Sequence, residues 1–345
     1  MSVFMEYEDF KGFVAAFKEP VYRRILDYIS INDPKFSEIM RCYVDRKGQY
    51  RRPSYLLLWT LLYGGNVDDA VLPAAVQQAS EDAILMHDDI LDQNELRRGG
   101  KSAHVLYGTE HAIVGGDALI DVVWKMAFDA SAAIGKRGNA YLNKVYDIML
   151  MTNYGQYLDV KLGKEVEIDK FDEESYYKSI HMKSAYYSVY GPMQCGAIVA
   201  GHTDEDTMRR ISKYGTYAGY AFQIRDDVLD CSSTEEVLGK SIGNDVKEGT
   251  KTLILLHAVH NADSATLSEL KRIYAKRPKQ KSREEIGFVI DKFRELGSIK
   301  HAETVSENFA KKAIFEFDAL EKSIPESALK GIARESLGHA AKRNR

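Results

Sequence analysis

The chain is 345 residues long, 45% apolar and 28% charged, with a formal net charge of -4 and an isoelectric point near 6.2. The apolar share supplies a sizeable core and excludes a disordered chain; the mild acidity excludes nucleic acid as main partner but leaves room for local basic patches that bind small anions. Cys42, Cys195 and Cys231 are scattered without CxxC spacing, which argues against a disulfide framework and a thiolate metal site. The first residues lack a basic-then-apolar signal layout and no apolar run reaches membrane-spanning length, so the expectation is a cytoplasmic protein without a transmembrane segment.

Seven prolines in 345 residues, and apolar positions recurring at three- and four-residue steps, predict long helices and almost no strand. The expected architecture is all-α, one domain over residues 1–345. Leu56 to Tyr63 follows Pro53, a first-turn proline, and stops at Gly64-Gly65. The next helix is predicted to begin between Asp68 and Pro73 and to run into Asp88-Asp89-Ile90-Leu91-Asp92. Helices are predicted at 109–134, 138–163, 173–200 with a kink at Gly191-Pro192, 204–231 and 249–262, and further ones toward the C-terminus. The polar and basic stretch 263–284 reads as a solvated connection.

The pentapeptide at Asp88 recurs as Asp226-Asp227-Val228-Leu229-Asp230. Each copy places carboxylates at i, i+1 and i+4, so that in a helix the first and last share a face and the middle one flanks them. Like charges at that spacing, beside Ala83-Ile84-Leu85-Met86 and Tyr220-Ala221-Phe222 and at a helix C-terminus, call for a cation. Hard divalent ions fit, because Mg2+ takes oxygen ligands and shares them among carboxylates, waters and phosphates. Two such clusters facing each other would hold several ions around a diphosphate. Arg97-Arg98-Gly99-Gly100-Lys101 follows the first copy and adds guanidinium forks that match phosphate oxygens. The Gly-punctuated segment 239–252 follows the second and reads as a mobile, lysine-bearing lid. His87 reads as a packing or hydrogen-bonding residue, since an all-oxygen site needs no imidazole.

At this point the sequence resembles the trans-isoprenyl diphosphate synthases. Phe222 to Asp230, then Gly239-Lys240, Asp245 and Gly249-Thr250-Lys251-Thr252, is similar to their second aspartate-rich region. His87 to Asp92 with Arg97-Arg98-Gly99 is similar to the first, and the likeness continues through Gly115 to Leu119, Gly155 to Asp159 and the Lys183-Ser184 pair. The resemblance implies the isoprenoid-synthase fold, a single large helical bundle around a central cavity, usually in a homodimer. It implies an Mg2+-dependent prenyltransferase, with three ions, or Mn2+ in their place, holding an allylic diphosphate. Reaction is by ionisation, attack by isopentenyl diphosphate and loss of a proton.

Carried over by position, Asp88, Asp92 and Asp226 are the main metal ligands, with Asp89, Asp227 and Asp230 supporting. Arg97, Lys183, Ser184, Gln223, Lys240 and Lys251 belong to the allylic diphosphate, Arg97 and Lys183 also to catalysis, and Arg52 and Arg98 to isopentenyl diphosphate. Two positions of that second pocket depart from the family: Gln49 stands where lysine is usual, and Glu81 where histidine or glutamine is common. An anion at Glu81 repels a diphosphate unless Arg51, Arg52 or Lys47 neutralises it. Ala83 and Ile84, one turn before Asp88, are expected to set chain length, and the small Ala83 points to a product longer than farnesyl, geranylgeranyl diphosphate first. Two other readings are a class I terpene synthase acting on one allylic diphosphate and a non-catalytic partner subunit of a prenyl synthase.

Overall fold

The computed structural model describes residues 7–232 and 243–341. It separates into two compact units, one comprising Met1–Asp147, Gly191–Ile211 and Leu320–Ser336, the other Ile148–Tyr190, Ser212–Ala319 and Leu337–Arg345. Both are helical, as the periodicity predicts.

In the first unit, α1 (Phe10–Leu26) starts at the Asp9 cap and buries Phe10, Phe13, Phe17, Val21 and Ile25, one stripe at helical spacing. Next, α2 (Pro34–Arg41) has Asp33 as cap and proline in its first turn. Helix α3 (Arg51–Leu62) is almost wholly buried and ends before Gly64, whose φ of 77 terminates it. The long α4 (Val67–Leu91) is capped by Asn66 and packs against α1 and α3. After a two-residue hairpin, α5 (Ala103–Tyr107) and α6 (Thr109–Ala133) follow, with α6 lying along α4. Helix α7 spans Gly138–Glu165.

The predicted helix 173–200 is three segments: α8 (Glu173–Ile180), a π-helix over His181–Tyr190, and α9 (Gly191–Ala200). Pro192 has no N–H to give, and the wider turns before it accommodate that loss. Helix α9 packs on α3 through Gly196, where a methyl group would collide with the Leu56 carbonyl. Helix α10 (Glu205–Ser232) carries the second acidic motif in its last turns.

A short α11 (Asn244–Glu248) ends at Gly249, φ 81, and the helix predicted at 249–262 starts only after it, as α12 (Leu253–Asn261). The stretch 263–284 is not merely a connection. Capped by Asp263, α13 (Ser264–Tyr274) buries Leu270 and Ile273 under a charged outer face, so its high polarity hides a one-sided apolar stripe. Helices α14 (Arg283–Glu295), α15 (Ser298–Glu321) and α16 (Leu329–Ala341) complete the chain. The second unit's core gathers Tyr176, Ile224, Val228, Leu253 to Leu256, Val289 and Phe293.

Candidate active site

In the first unit, α4 ends on Asp88, Asp89 and, as its C-cap, Asp92, with no basic residue in its last turn. The carboxylates thus gather at the negative pole of the helix. They are not equivalent. Asp88 and Asp92 are half-buried, whereas Asp89 has no exposed surface. Asp89 accepts hydrogen bonds from the Tyr43 hydroxyl at 2.5 Å, from Arg97 Nε at 3.0 and 3.1 Å and from Asn94 Nδ2 at 3.4 Å. Tyr43's hydroxyl in turn accepts the Ala103 backbone N–H at 2.9 Å. Arg97 also reaches to 3.9 Å from Asp88.

Arg97 is aimed by the hairpin. Leu96 pairs with Lys101 and Arg97 with Gly100 around Arg98 and Gly99, whose φ values are 50 and 75. Two successive left-handed residues make the turn that matches strand twist; it suits glycine second and is uncommon for arginine first. The turn sends Arg98 away from Arg97. Arg98 Nη1 donates to Asp82 Oδ1 at 2.6 Å and to the Tyr43 carbonyl at 2.7 Å, and Nη2 lies 3.4 Å from Glu81 Oε1. Glu81 pairs again with Arg52 Nη1 at 2.9 Å, and Gln78 Nε2 donates to Asp82 at 2.9 Å. Burial alone would raise the Glu81 pKa, but the two arginines outweigh it and hold the carboxyl below its ordinary value. Asp82 is pushed up to about 7 by burial, opposed by Arg98 and assisted by the Glu81 charge. Gln49 is exposed, and Gly48 lies directly against the Arg98 guanidinium, where a side chain would collide.

In the second unit the second motif divides the same way. Asp226 is half-buried, while Asp227 and Asp230 are buried. Asp227 accepts from Gln223 Nε2 at 2.9 Å and from the Tyr176 hydroxyl at 3.2 Å, and Ser184 Oγ donates to Gln223 Oε1 at 2.6 Å. Asp230 accepts the Asp245 backbone N–H at 2.9 Å, which anchors the start of α11. Burial, reinforced by Asp226 and Asp230, raises the Asp227 pKa against the pull of its hydrogen bonds. Lys183 Nζ lies 2.7 Å from Asp159 Oδ2. Lys251 is buried, its ammonium 3.3 Å from the Gly163 carbonyl and 5.9 Å from the centroid of the Tyr274 ring; burial depresses its pKa to about 8. Lys281 shares that ring at 5.2 Å and caps α11 by donating to the carbonyls of Val246 and Lys247.

Residues 33–289 match the family described as polyprenyl synthetase. A short chain isoprenyl diphosphate synthase of Methanothermobacter thermautotrophicus is 33% identical over 291 residues, 83% of this chain and 85% of that protein. A geranylgeranyl diphosphate synthase of Sulfolobus acidocaldarius is 30% identical over 91% of this chain and 93% of its own. The crystal structure of a geranylgeranyl pyrophosphate synthetase from Pyrococcus horikoshii superposes with a TM-score of 0.81, covering 96% of this chain and 98% of that one at 28% identity. The chain belongs to the polyprenyl synthetase family. It is a trans-prenyltransferase with the all-α isoprenoid-synthase fold.

For this isoprenyl diphosphate synthase, the expected site residues fall into local networks. Tyr43, Asn94, Arg97 and Asp89 form one, Arg52, Glu81, Arg98 and Asp82 a second, and Ser184, Gln223, Asp227 and Tyr176 a third. Lys240 lies outside the described residues. Ala83 has no exposed surface, whereas Ile84 on the Asp88 face is half-buried. His87 Nε2 is 3.2 Å from the Ile113 carbonyl, against Gly116.

Among the described residues no group of three His, Cys, Asp or Glu side chains converges as a preformed metal cage. The donor set nevertheless fits a hard cation. Asp88 and Asp92 offer oxygens at one helix end, Asp226 at another, and neither end carries a basic residue in its last turn. Mg2+ ordinarily takes only one or two carboxylates and completes its shell with water and phosphate. Sequence reasoning missed Tyr43 and Tyr176, which hold Asp89 and Asp227 from distant segments, and Asp82, which accepts from Arg98.

Proposed function

We propose that the enzyme condenses isopentenyl diphosphate with an allylic diphosphate in an Mg2+-dependent reaction and releases geranylgeranyl diphosphate. The observation that carries this reading is the division of the six aspartates. Asp88, Asp92 and Asp226 are half-buried, while Asp89, Asp227 and Asp230 are buried and hydrogen-bonded to the scaffold. We read the half-buried three as the metal ligands and the buried three as residues that fix each helix end. Magnesium, when bound, supplies positive charge to the departing diphosphate.

The chain's own residues do the rest. Arg97, held by Asp89, keeps a guanidinium beside Asp88 where leaving-group charge develops. In the second unit we assign Lys183, aligned by Asp159, and Gln223, aligned by Ser184 and Asp227, to diphosphate binding. Arg52 and Arg98 receive the diphosphate of the second substrate, and Glu81 fixes their guanidinium planes. Ile84 is the better candidate for chain-length control, because Ala83 is enclosed. The geranylgeranyl product is supported by the relative from Sulfolobus acidocaldarius. We read the two compact units as parts of one domain, since the family match runs through both, and the active form as a homodimer. Exposed Val105, Leu106, Ile113, Val114 and Phe128 on α5 and α6 form the kind of apolar surface that a second copy covers.

The test is incubation with Mg2+, labelled isopentenyl diphosphate and allylic primers of increasing length, followed by product sizing. Label in a twenty-carbon diphosphate supports the reading. A hydrocarbon formed from the allylic substrate alone identifies a terpene synthase instead, and no turnover of either kind identifies a non-catalytic subunit.

A further inference from the structure

Lys18, on the half-buried face of α1, has an unusual charge environment. Helix α1 packs against α3 and α4, the helices that carry Arg52 and Glu81. The Lys18 ammonium stands 5.4 Å from the centroid of the Tyr50 ring, and Tyr50 is the left-handed residue (φ 56) that starts α3 without a side-chain cap. Its neighbours in charge are Lys47 and Arg98, both cations, which add to burial in depressing its pKa. Among the described residues no carboxylate lies within ion-pair distance of it. Glu19, next in sequence, is occupied by Lys47 at 2.7 Å and by Arg23 at 2.9 Å.

The surrounding charges are matched where Lys18 is not. Arg52 and Arg98 face Glu81, and Arg98 also faces Asp82. Gln49, exposed between Gly48 and Tyr50, contributes no charge. A half-buried ammonium held near like charges, on a long flexible stem above an aromatic face, is stabilised by an anion that enters among them.

We propose that Lys18 is a binding residue for the diphosphate of isopentenyl diphosphate, supplying from α1 the cation that the segment before α3 lacks at Gln49. The aromatic face of Tyr50 orients the ammonium, and Lys47 is withheld from this task by its bond to Glu19. The proposal rests on reading the Arg52–Glu81–Arg98 cluster as the homoallylic diphosphate site.

Calorimetric titration of isopentenyl diphosphate into metal-free protein tests it without requiring turnover. Loss of one charge-assisted contact predicts that Lys18→Met weakens binding about tenfold, that Lys18→Arg retains most of it, and that adding Gln49→Lys to Lys18→Met restores it. In steady-state assays the KM for isopentenyl diphosphate should rise in Lys18→Met, while kcat and the KM for the allylic substrate stay near wild type. Arg52→Met separates the two possible failures. If Arg52→Met weakens binding and Lys18→Met does not, the Lys18 proposal is overturned and the reading of the pocket stands. If neither variant changes binding, or the wild-type protein binds no isopentenyl diphosphate, the pocket reading falls and the proposal falls with it. Equal loss of both substrates in Lys18→Met, with a lowered melting temperature, also overturns the proposal.

Discussion

Glu81 Oε2 lies 2.9 Å from Arg52 Nη1, while its other oxygen stands 3.4 Å from Arg98 Nη2, so one carboxylate bridges two arginines that come from α3 and from the hairpin after α4. This bridge answers the question the sequence poses at position 81. The anion does not stand alone against a diphosphate; it holds the guanidinium groups in one orientation and takes up part of their charge. Glu81→Gln should therefore act in two directions. Removing one partner of a largely buried ion network costs about 3 kcal/mol of stability, while the freed arginines attract diphosphate more strongly. The expected outcome is a lower melting temperature together with a lower KM for isopentenyl diphosphate. A higher KM would mean that orientation outweighs charge at this position.

The same network gives a pH dependence that can be read as stability. Asp82 has a folded-state pKa raised to about 7 from the ordinary aspartate value of 3.8, chiefly by burial. A raised carboxyl pKa means that the folded state binds the proton more tightly than the unfolded one. Its contribution is fully present below the unfolded value and is lost as pH rises through the folded one. Denaturant midpoints of the metal-free protein should fall from pH 5 to pH 8, and Asp82→Asn should flatten that fall. Glu81 works in the opposite sense, since its pKa is depressed; its stabilising share is present above its unfolded value and is lost only at lower pH, as the folded-state pKa is crossed. A profile of Asp82→Asn parallel to wild type would show that Asp82 stays ionised throughout and that Arg98 dominates its environment.

The two halves of each acidic motif should separate in mutagenesis. Asp88→Ala or Asp226→Ala should lower kcat by about a hundredfold or more, because charge stabilisation of a departing diphosphate is removed. Melting temperature in the metal-free protein should hold or rise, since like-charge repulsion is relieved. Asp89→Ala should behave differently. It leaves the Arg97 guanidinium and the Tyr43 hydroxyl without their buried acceptor, at a cost of about 3 kcal/mol. Circular dichroism melts run beside the activity assay distinguish these outcomes, and a stable but inactive Asp89→Ala protein would move that residue into the ligand set.

How much of this was legible before the structure depends on the range of the interaction. The ends of α3, marked by Pro53 in its first turn and by Gly64-Gly65 after its last, and the two acidic motifs are written in local spacing and can be read from it. The division of each motif into half-buried and fully buried members cannot, because it depends on Tyr43 and Tyr176, which lie 46 and 51 residues from the aspartates they bond. Gly155 and Asp159 are neighbours in a short motif, yet what each touches is long-range: Asp159 meets Lys183, and a side chain at Gly155 would collide with the Lys183 backbone. The stretch 263–284 reads as a solvated connection because its average polarity is high, which conceals a helix. Leu270 and Ile273 sit three residues apart, and that spacing with the Asp263 cap marks α13.

Chain length should respond to Ile84 and not in the same manner to Ala83. Both precede Asp88 by about one helical turn, but Ala83 has no exposed surface while Ile84 keeps part of its side chain open on the face that carries Asp88. Adding a ring at Ala83 forces it into packed neighbours, an overpacking cost of about 1–3 kcal/mol, so Ala83→Phe should lower the melting temperature. Ile84→Phe adds bulk on the open side, and there the product should shorten from twenty carbons toward fifteen with little loss of stability. Sizing the dephosphorylated products of both variants by chromatography decides between the positions. Unchanged length in Ile84→Phe would remove this face of α4 from the surface that stops growth, and a shortened product from a stable Ala83→Phe protein would return the role to the enclosed residue.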